Sequence, residues 1–253
     1  MTKRALILGG SSGIGKATVK KIADSFDQIV IFHRDRKTQT AELGHFLDGI
    51  SASSECTILP YNLDATDPIN MQLVAKESQL PFHLVVHAIS RGNLGSLDPE
   101  MEHSLEADDL MLTMEAMCFN VKAWNSFLLS NKLLADGCRF ITLTSEGSTR
   151  MWPGYGGVGL AKSALETLTK YLAVEMSKYG VRYNCLHPGV TDTPSLRMIP
   201  KYQGLMELTK NRNPYKRLTQ PEDVANLIYL LTLPEADWIN GSIIHVDGGE
   251  HLV

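Results

Sequence analysis

The sequence predicts a single-domain α/β fold: a doubly wound, seven-stranded parallel sheet with helices on both faces. Three observations lead there. Short apolar runs alternate with longer segments of helical spacing along the whole chain. The first apolar run enters a glycine-rich turn that precedes a helical pattern. The 253 residues are 43% hydrophobic and 21% charged, an ordinary balance for a globular chain large enough to bury one sizeable core.

Strands are expected at 5–8, 29–32, 57–59, 84–86, 140–143, 182–186 and 242–246. Each is a short apolar run, too short for an independent helix. The first stops at Gly9, which is also too early for a signal peptide. Helices are expected between the strands, as at 17–26 and 164–176, with a further start at Thr219-Gln220-Pro221-Glu222-Asp223. No repeat, low-complexity tract or Pro/Gly-rich linker divides the chain, so 1–253 reads as one domain. The segment 195–215 breaks the rhythm. It sets Leu196, Met198, Ile199, Tyr202, Leu205, Met206 and Leu208 among polar residues. This pattern fits a lid over an apolar substrate, above the carboxyl ends of the strands, or an ordinary packed helix pair.

Several function classes are excluded. A net charge of −4 argues against a nucleic-acid partner, because phosphate binding needs a basic face. No apolar run approaches the ~20 residues needed to cross a bilayer, so no membrane partner is expected. Cys56, Cys118, Cys138 and Cys185 are scattered without a CxxC pair, and the eight histidines show no HExxH spacing. No disulfide and no metal are therefore expected, and free thiols without an export signal fit a cytoplasmic location.

The run Gly9-Gly10-Ser11-Ser12-Gly13-Ile14-Gly15 lies between a strand and a helix. Glycines there permit a tight turn and close backbone approach to a pyrophosphate, with the positive end of the following helix aimed at the anion. In this context the GxxxGxG pattern resembles the short-chain dehydrogenase/reductase family, although Leu8 stands where that family usually has threonine. Further similarities follow in order. Asn62-Leu63 matches the adenine-contacting pair, with Asn62 replacing a more frequent aspartate. Asn120 matches a helix asparagine that supports a proton-relay water. Ser145 matches the catalytic serine, and Pro188-Gly189-Val190 with Thr193 resembles the segment that clasps the nicotinamide carboxamide. Gly241 and Val246-Asp247-Gly248-Gly249 match the family's C-terminal signature. The resemblance implies a Rossmann fold, a nicotinamide dinucleotide and a homotetramer or homodimer, with Glu250-His251-Leu252-Val253 reaching into a subunit interface. Arg34, after the second strand, favours NADPH, since a guanidinium binds a 2′-phosphate bidentately. The adjacent Asp35 keeps NADH possible.

Tyr155 stands seven residues before Lys162, and Val158 occupies the position four before it, where the family's carbonyl reductases carry their tyrosine. Val158 can neither donate nor accept a proton. Where most of the family reads Asn-Asn-Ala-Gly, this chain reads His87-Ala88-Ile89-Ser90. Both marks resemble the enoyl-acyl-carrier-protein reductases. The stretch 144–175, with Arg150, Tyr155, Lys162 and Tyr171-Leu172-Ala173-Val174-Glu175, most resembles their type III branch. That resemblance implies NADPH-dependent reduction of the 2,3 double bond of an enoyl-thioester in fatty-acid or related acyl-chain synthesis. Tyr155 would meet the thioester oxygen, Lys162 the nicotinamide ribose, and His87-Ala88 would lie near the adenosine side. Plainer readings stay open: Tyr155 as a packed aromatic, Ser145 as a strand cap, Asn120 as a backbone ligand, His87 as structural, and Met151 and Trp152 as pocket lining or packing. The alternatives for the whole chain are reduction of another enone, dienoyl-thioester or ketone, and a non-catalytic NADP-binding protein. If the acyl group rides on an acidic carrier protein, Arg91, Lys201, Lys210, Arg212, Lys216 and Arg217 are candidates for its docking patch.

Overall fold

The computed structural model describes residues 2–77, 80–199 and 201–253. Seven strands form one sheet: β1 Arg4–Leu8, β2 Gln28–His33, β3 Thr57–Asn62, β4 Phe82–His87, β5 Leu134–Leu143, β6 Arg182–Pro188 and β7 Ile243–Val246. All pairings are parallel, in the order β3-β2-β1-β4-β5-β6-β7. The order reverses at the β1–β4 junction, where open α/β sheets bind their ligands at the carboxyl ends.

Alternation along each strand feeds two cores. Leu6 and Leu8 of β1 face one core, with Trp124, Phe140, Leu165 and Tyr183. Ala5 and Ile7 face the other, with Val19, Ile22, Val224 and Ile228. The first is covered by α3 (Pro68–Glu77), α4 (Ala107–Met114), α5 (Asn120–Ser130) and α6 (Gly156–Glu175), and the second by α1 (Gly13–Ile22), α2 (Lys37–Ser53) and α8 (Pro221–Leu230). The expected Rossmann fold is present.

Boundaries differ where glycine masks the pattern. The first helix begins at Gly13 rather than at 17, and Phe26 is extended. The sixth begins at Gly156 rather than at 164, because Gly156, Gly157 and Gly159 weaken its apolar periodicity. Small residues are needed there: a Cβ on Gly159 would lie 2.7 Å from the Gly147 carbonyl oxygen.

Candidate active site

β1 delivers the chain to Gly9 at the switch point. Gly9 has φ +93°, and a Cβ there would lie 2.8 Å from Ala88 O, so glycine alone lets this turn rest against the end of β4. Gly15 is tighter still: its missing Cβ would overlap the Gly9 carbonyl. Ser12 caps α1 without a side-chain cap bond, which leaves the first-turn amides with no side-chain acceptor. Gly9, Ser11, Ser12, Gly13, Ile14 and Gly15 all line a cleft of about 370 Å³. Open amides at a helix N-terminus beside such a cleft suit a pyrophosphate, so the residues present fit a dinucleotide.

Beyond the glycine turn the cleft meets Arg34, Leu63 and Ala88. Arg34 Nη1 and Arg91 Nη1 both donate to Asp64 Oδ2, at 2.9 and 3.1 Å. Burial opposes ionisation of Asp64, but bonds from Thr66 and Arg34 outweigh it and hold the carboxyl below its ordinary pKa. Asp35 is engaged within the protein: Ser11 Oγ donates to Oδ1 at 2.9 Å, and His33 Nδ1 lies 3.1 Å from Oδ2.

The opposite wall is built from side chains. β5 ends at Leu143, Ser145 follows, and Tyr155 is the residue capping α6. The Tyr155 hydroxyl lies 3.4 Å from Ser145 Oγ, a long contact that leaves the phenolic proton free to serve a ligand. Gly147 makes room for it, since a Cβ there would overlap the Tyr155 ring. Burial raises the phenol's pKa while the Ser145 bond lowers it, and burial prevails. The group is therefore an un-ionised donor at neutral pH. Lys162 follows two turns later on the same helix face. It is 5% exposed, and Nζ donates to Leu143 O at 2.7 Å. Burial lowers its pKa to about 8, against smaller raising effects from Cys185, Cys118 and Glu166. Tyr155, Lys162, Ser145 and Thr193 all line the cleft. Val158 does not: it is 4% exposed and packs with Met117 and Ala161, with Leu94, Met114 and Tyr155 against them.

Other expected residues lie behind the cleft. Asn120 is buried; its Oδ1 accepts from His87 Nε2 at 3.1 Å, and its Nδ2 donates to Ala65 O at 3.0 Å. An amide oxygen only accepts, so the His87 proton is assigned to Nε2. Burial lowers the His87 pKa to about 4 and Lys162 adds to the shift, so the ring is neutral at physiological pH. Trp124 Nε1 also reaches Ala65 O, at 2.9 Å. Together these bonds fix the turn of Leu63, Asp64, Ala65 and Thr66 along the cleft. Asn62, expected at the adenine, bonds both backbone groups of Asp35, at 3.1 Å each. Pro188, Gly189 and Val190 are likewise outside the lining. Gly189 N donates to Val246 O and Val190 N to Glu250 Oε1, both at 3.2 Å. Met151 is exposed.

Segment 195–215 forms a turn at Leu196–Met198 and a helix, α7, at Tyr202–Arg212; Pro200 lies outside the described residues. Ser195 lines the cleft, and its hydroxyl contacts that of Ser90 across it. Of the six basic residues, Lys216 is exposed and its Nζ donates to Asn211 O at 2.7 Å. Arg91 pairs with Asp64, Arg217 with Asp223, and Arg212 with Glu146 and Glu250, while Lys201 and Lys210 are exposed. Sequence reasoning missed Asp64 and Gly147, and it named Arg91 for carrier docking rather than for the cleft that it lines. The Ser-Glu-Gly-Ser run just ahead of Tyr155 was the available signal for Gly147. It also did not bring His245 together with Asp247 and His251, although the ligand-type atoms of the three lie within 4.8 Å of one another. The His245 and His251 rings stack in near-parallel at 3.7 Å, with Nδ1 of each facing Asp247 Oδ2 at 3.8 and 2.5 Å, and Asp247 accepts the Gly249 and His251 amides. The cluster reads as a cap on the C-terminal turn. Among the described residues no helix is long and apolar enough to cross a membrane.

Residues 9–251 match a family model described as enoyl-(acyl carrier protein) reductase. Among curated proteins, the chain is 28% identical to an NADPH-dependent aldehyde reductase-like protein, chloroplastic, of Arabidopsis thaliana, covering 97% of this chain and 93% of that one. It is 26% identical to an NADH enoyl-[acyl-carrier-protein] reductase of Rhizobium meliloti, over 99% and 91% of the two chains. Among solved structures, a short-chain dehydrogenase of Burkholderia cenocepacia in complex with NADP superposes with a TM-score of 0.84 at 27% identity, covering 98% of each chain.

Proposed function

This chain belongs to the short-chain dehydrogenase/reductase family, in its enoyl-(acyl-carrier-protein) reductase branch, and is an NAD(P)H-dependent oxidoreductase; from that premise we propose that it reduces the 2,3 double bond of an enoyl-thioester with NADPH. The observation that carries this reading is the pairing of Tyr155 with Val158. The one hydroxyl of that pair lies at the cleft, and the usual position is filled by an aliphatic side chain facing an apolar cluster.

The bound dinucleotide would supply a hydride to the β-carbon of the substrate. Negative charge then develops on the thioester oxygen, farther from the hydride acceptor than a ketone oxygen would be. Tyr155, un-ionised at neutral pH, stabilises that charge by donating its proton or a hydrogen bond. Lys162 holds the ribose hydroxyls and supplies positive charge near the phenol. The glycine turn and the first turn of α1 hold the pyrophosphate. Asn120 acts through Ala65 and His87 as a positioning residue. Two features support NADPH: Arg34 lines the cleft, and Ser11 Oγ already donates to the Asp35 carboxylate. An acyl carrier protein is the proposed carrier, α7 the proposed lid over the acyl chain, and a homodimer or homotetramer the proposed assembly.

The test is oxidation of NADPH, with NADH in parallel, using crotonyl- and 2-decenoyl-thioesters beside a panel of ketones. Turnover of the enoyl-thioesters alone supports the reading. Turnover of the ketones alone would overturn it and assign Tyr155 to a carbonyl.

A further inference from the structure

α7 is fastened at its last residue. Arg212 is 13% exposed at its side chain. Its Nη2 donates to both oxygens of Glu146, at 2.6 and 2.7 Å, and to Glu250 Oε1 at 3.0 Å. Glu146 directly follows Ser145. Glu250 is 1% exposed, and its Oε1 also accepts the Val190 amide at 3.2 Å. The next residue, buried Asn213, donates to Asp247 O at 2.9 Å. The far end of the helix has no comparable anchor among its described residues. There Lys201 is exposed, with a left-handed backbone at φ 60°, a sparsely populated conformation for a residue with a side chain. A second left-handed lysine, Lys216, follows the anchor at φ 55°.

The charges balance locally. Arg150 Nη1 adds a contact to Glu146 Oε1 at 3.1 Å, giving two guanidiniums for two carboxylates. Burying such a group contributes little to net stability compared with apolar packing, whereas removing one member strands the others. Arg212 also keeps Nε and Nη1 buried without a partner. These features describe a connection that fixes geometry at an energetic cost.

We propose that Arg212 is a positioning residue for the reductase site: by tying the end of α7 to Glu146 and Glu250, it sets the helix over the acyl side of the Ser145–Tyr155 pair. The inference rests on the enoyl-thioester reading for its substrate, but not for its geometry.

The experiment uses the full chain with Arg212→Gln and Arg212→Lys. Four quantities are read: the NADPH dissociation constant, KM and kcat for 2-decenoyl-thioester, and amide hydrogen exchange. For Arg212→Gln the KM should rise about tenfold or more, with kcat changed by less than about threefold. NADPH affinity should stay within about twofold. Exchange should quicken at least about tenfold in 202–212 and 145–148 and remain unchanged in the central strands. Arg212→Lys should recover part of the KM, because it keeps one charged nitrogen donor, as Nη2 is here, on a shorter side chain without the planar guanidinium. Unchanged exchange in 202–212 would overturn the proposal. So would faster exchange across the whole sheet with KM unmoved, the mark of a purely structural residue. Should the wild type reduce no enoyl-thioester, the functional reading fails on its own, while the exchange pattern still judges the fastening.

Discussion

The two walls of the cleft work by different means. The β1–α1 wall is backbone: glycines at 9, 13 and 15, amide groups, and a helix end with no side chain competing for its first turn. The β5–α6 wall is side chain: a phenol at the helix cap, a lysine two turns on, and a valine between them turned toward the apolar cluster. The difference teaches where function can vary. A backbone wall holds any dinucleotide and has little freedom to change, because each glycine touches another strand or turn. On the side-chain wall, positions 155 and 158 can exchange a hydroxyl-bearing and an aliphatic side chain while the helix and its packing stay in place.

Tyr155→Phe tests the side-chain wall most directly. It removes only the hydroxyl and leaves the ring against Gly147. Turnover of the enoyl-thioester should fall roughly 10²- to 10³-fold, the scale of losing one donor to a developing oxyanion. The NADPH dissociation constant should stay unchanged. A comparable loss of cofactor affinity would erase the contrast between the walls.

Gly15→Ala tests the other wall. A Cβ that overlaps the Gly9 carbonyl must push the turn away from α1. Dinucleotide affinity should weaken roughly 10- to 100-fold, as for losing one or two charge-assisted hydrogen bonds. Rate at saturating cofactor should change much less. Fluorescence titration beside steady-state kinetics separates the two effects.

The sequence carried unequal information about these walls. The glycine turn was legible because a missing Cβ is itself the signal, and all six expected residues from Gly9 to Gly15 line the cleft. The seven-strand sheet was legible from short apolar runs set between helical segments, and those runs feed two cores. Asn62, Asn120 and Val190 were legible as positions, but their partners were not. The bonds from Asn62 to Asp35 and from Val190 to Glu250 join residues 27 and 60 apart in sequence, and no local pattern encodes that. The helix start at Gly156 was hidden because close packing selected residues that form helices poorly.

Lys162 provides a sharper test, because charge moves stability and rate in opposite directions. Burial lowers its pKa from 10.5 to about 8, so between those values the unfolded chain holds a proton that the fold does not. Stability relative to Lys162→Met should therefore rise as pH goes from about 8 to about 10.5, by on the order of 3 kcal/mol in total. Over the same interval kcat/KM should fall, since the positive charge beside the phenol is lost. The phenol's own pKa is raised by burial, so Tyr155 does not supply this limb. Denaturant melts and pH–rate profiles on the same samples check both signs. A rate that rises with stability would mean that Lys162 acts through folding alone.

The smallest effect on chemistry should come from Val158, the residue at the usual tyrosine position. Val158→Ala removes two methyl groups from a buried cluster with Met117 and Ala161, and the cavity should cost about 1–2 kcal/mol of folding stability. Turnover at saturating substrate should stay within about threefold, because nothing at position 158 meets the cleft. Thermal melts and kcat measured together decide the matter. If the melting temperature holds and turnover collapses, position 158 faces the reacting atoms after all. The acid would then not have moved seven residues upstream of the lysine; the site would have been rebuilt around both positions. If stability alone falls, the valine is the packing residue that the displaced tyrosine leaves room for, and Tyr155 is the only acid needed on that helix face.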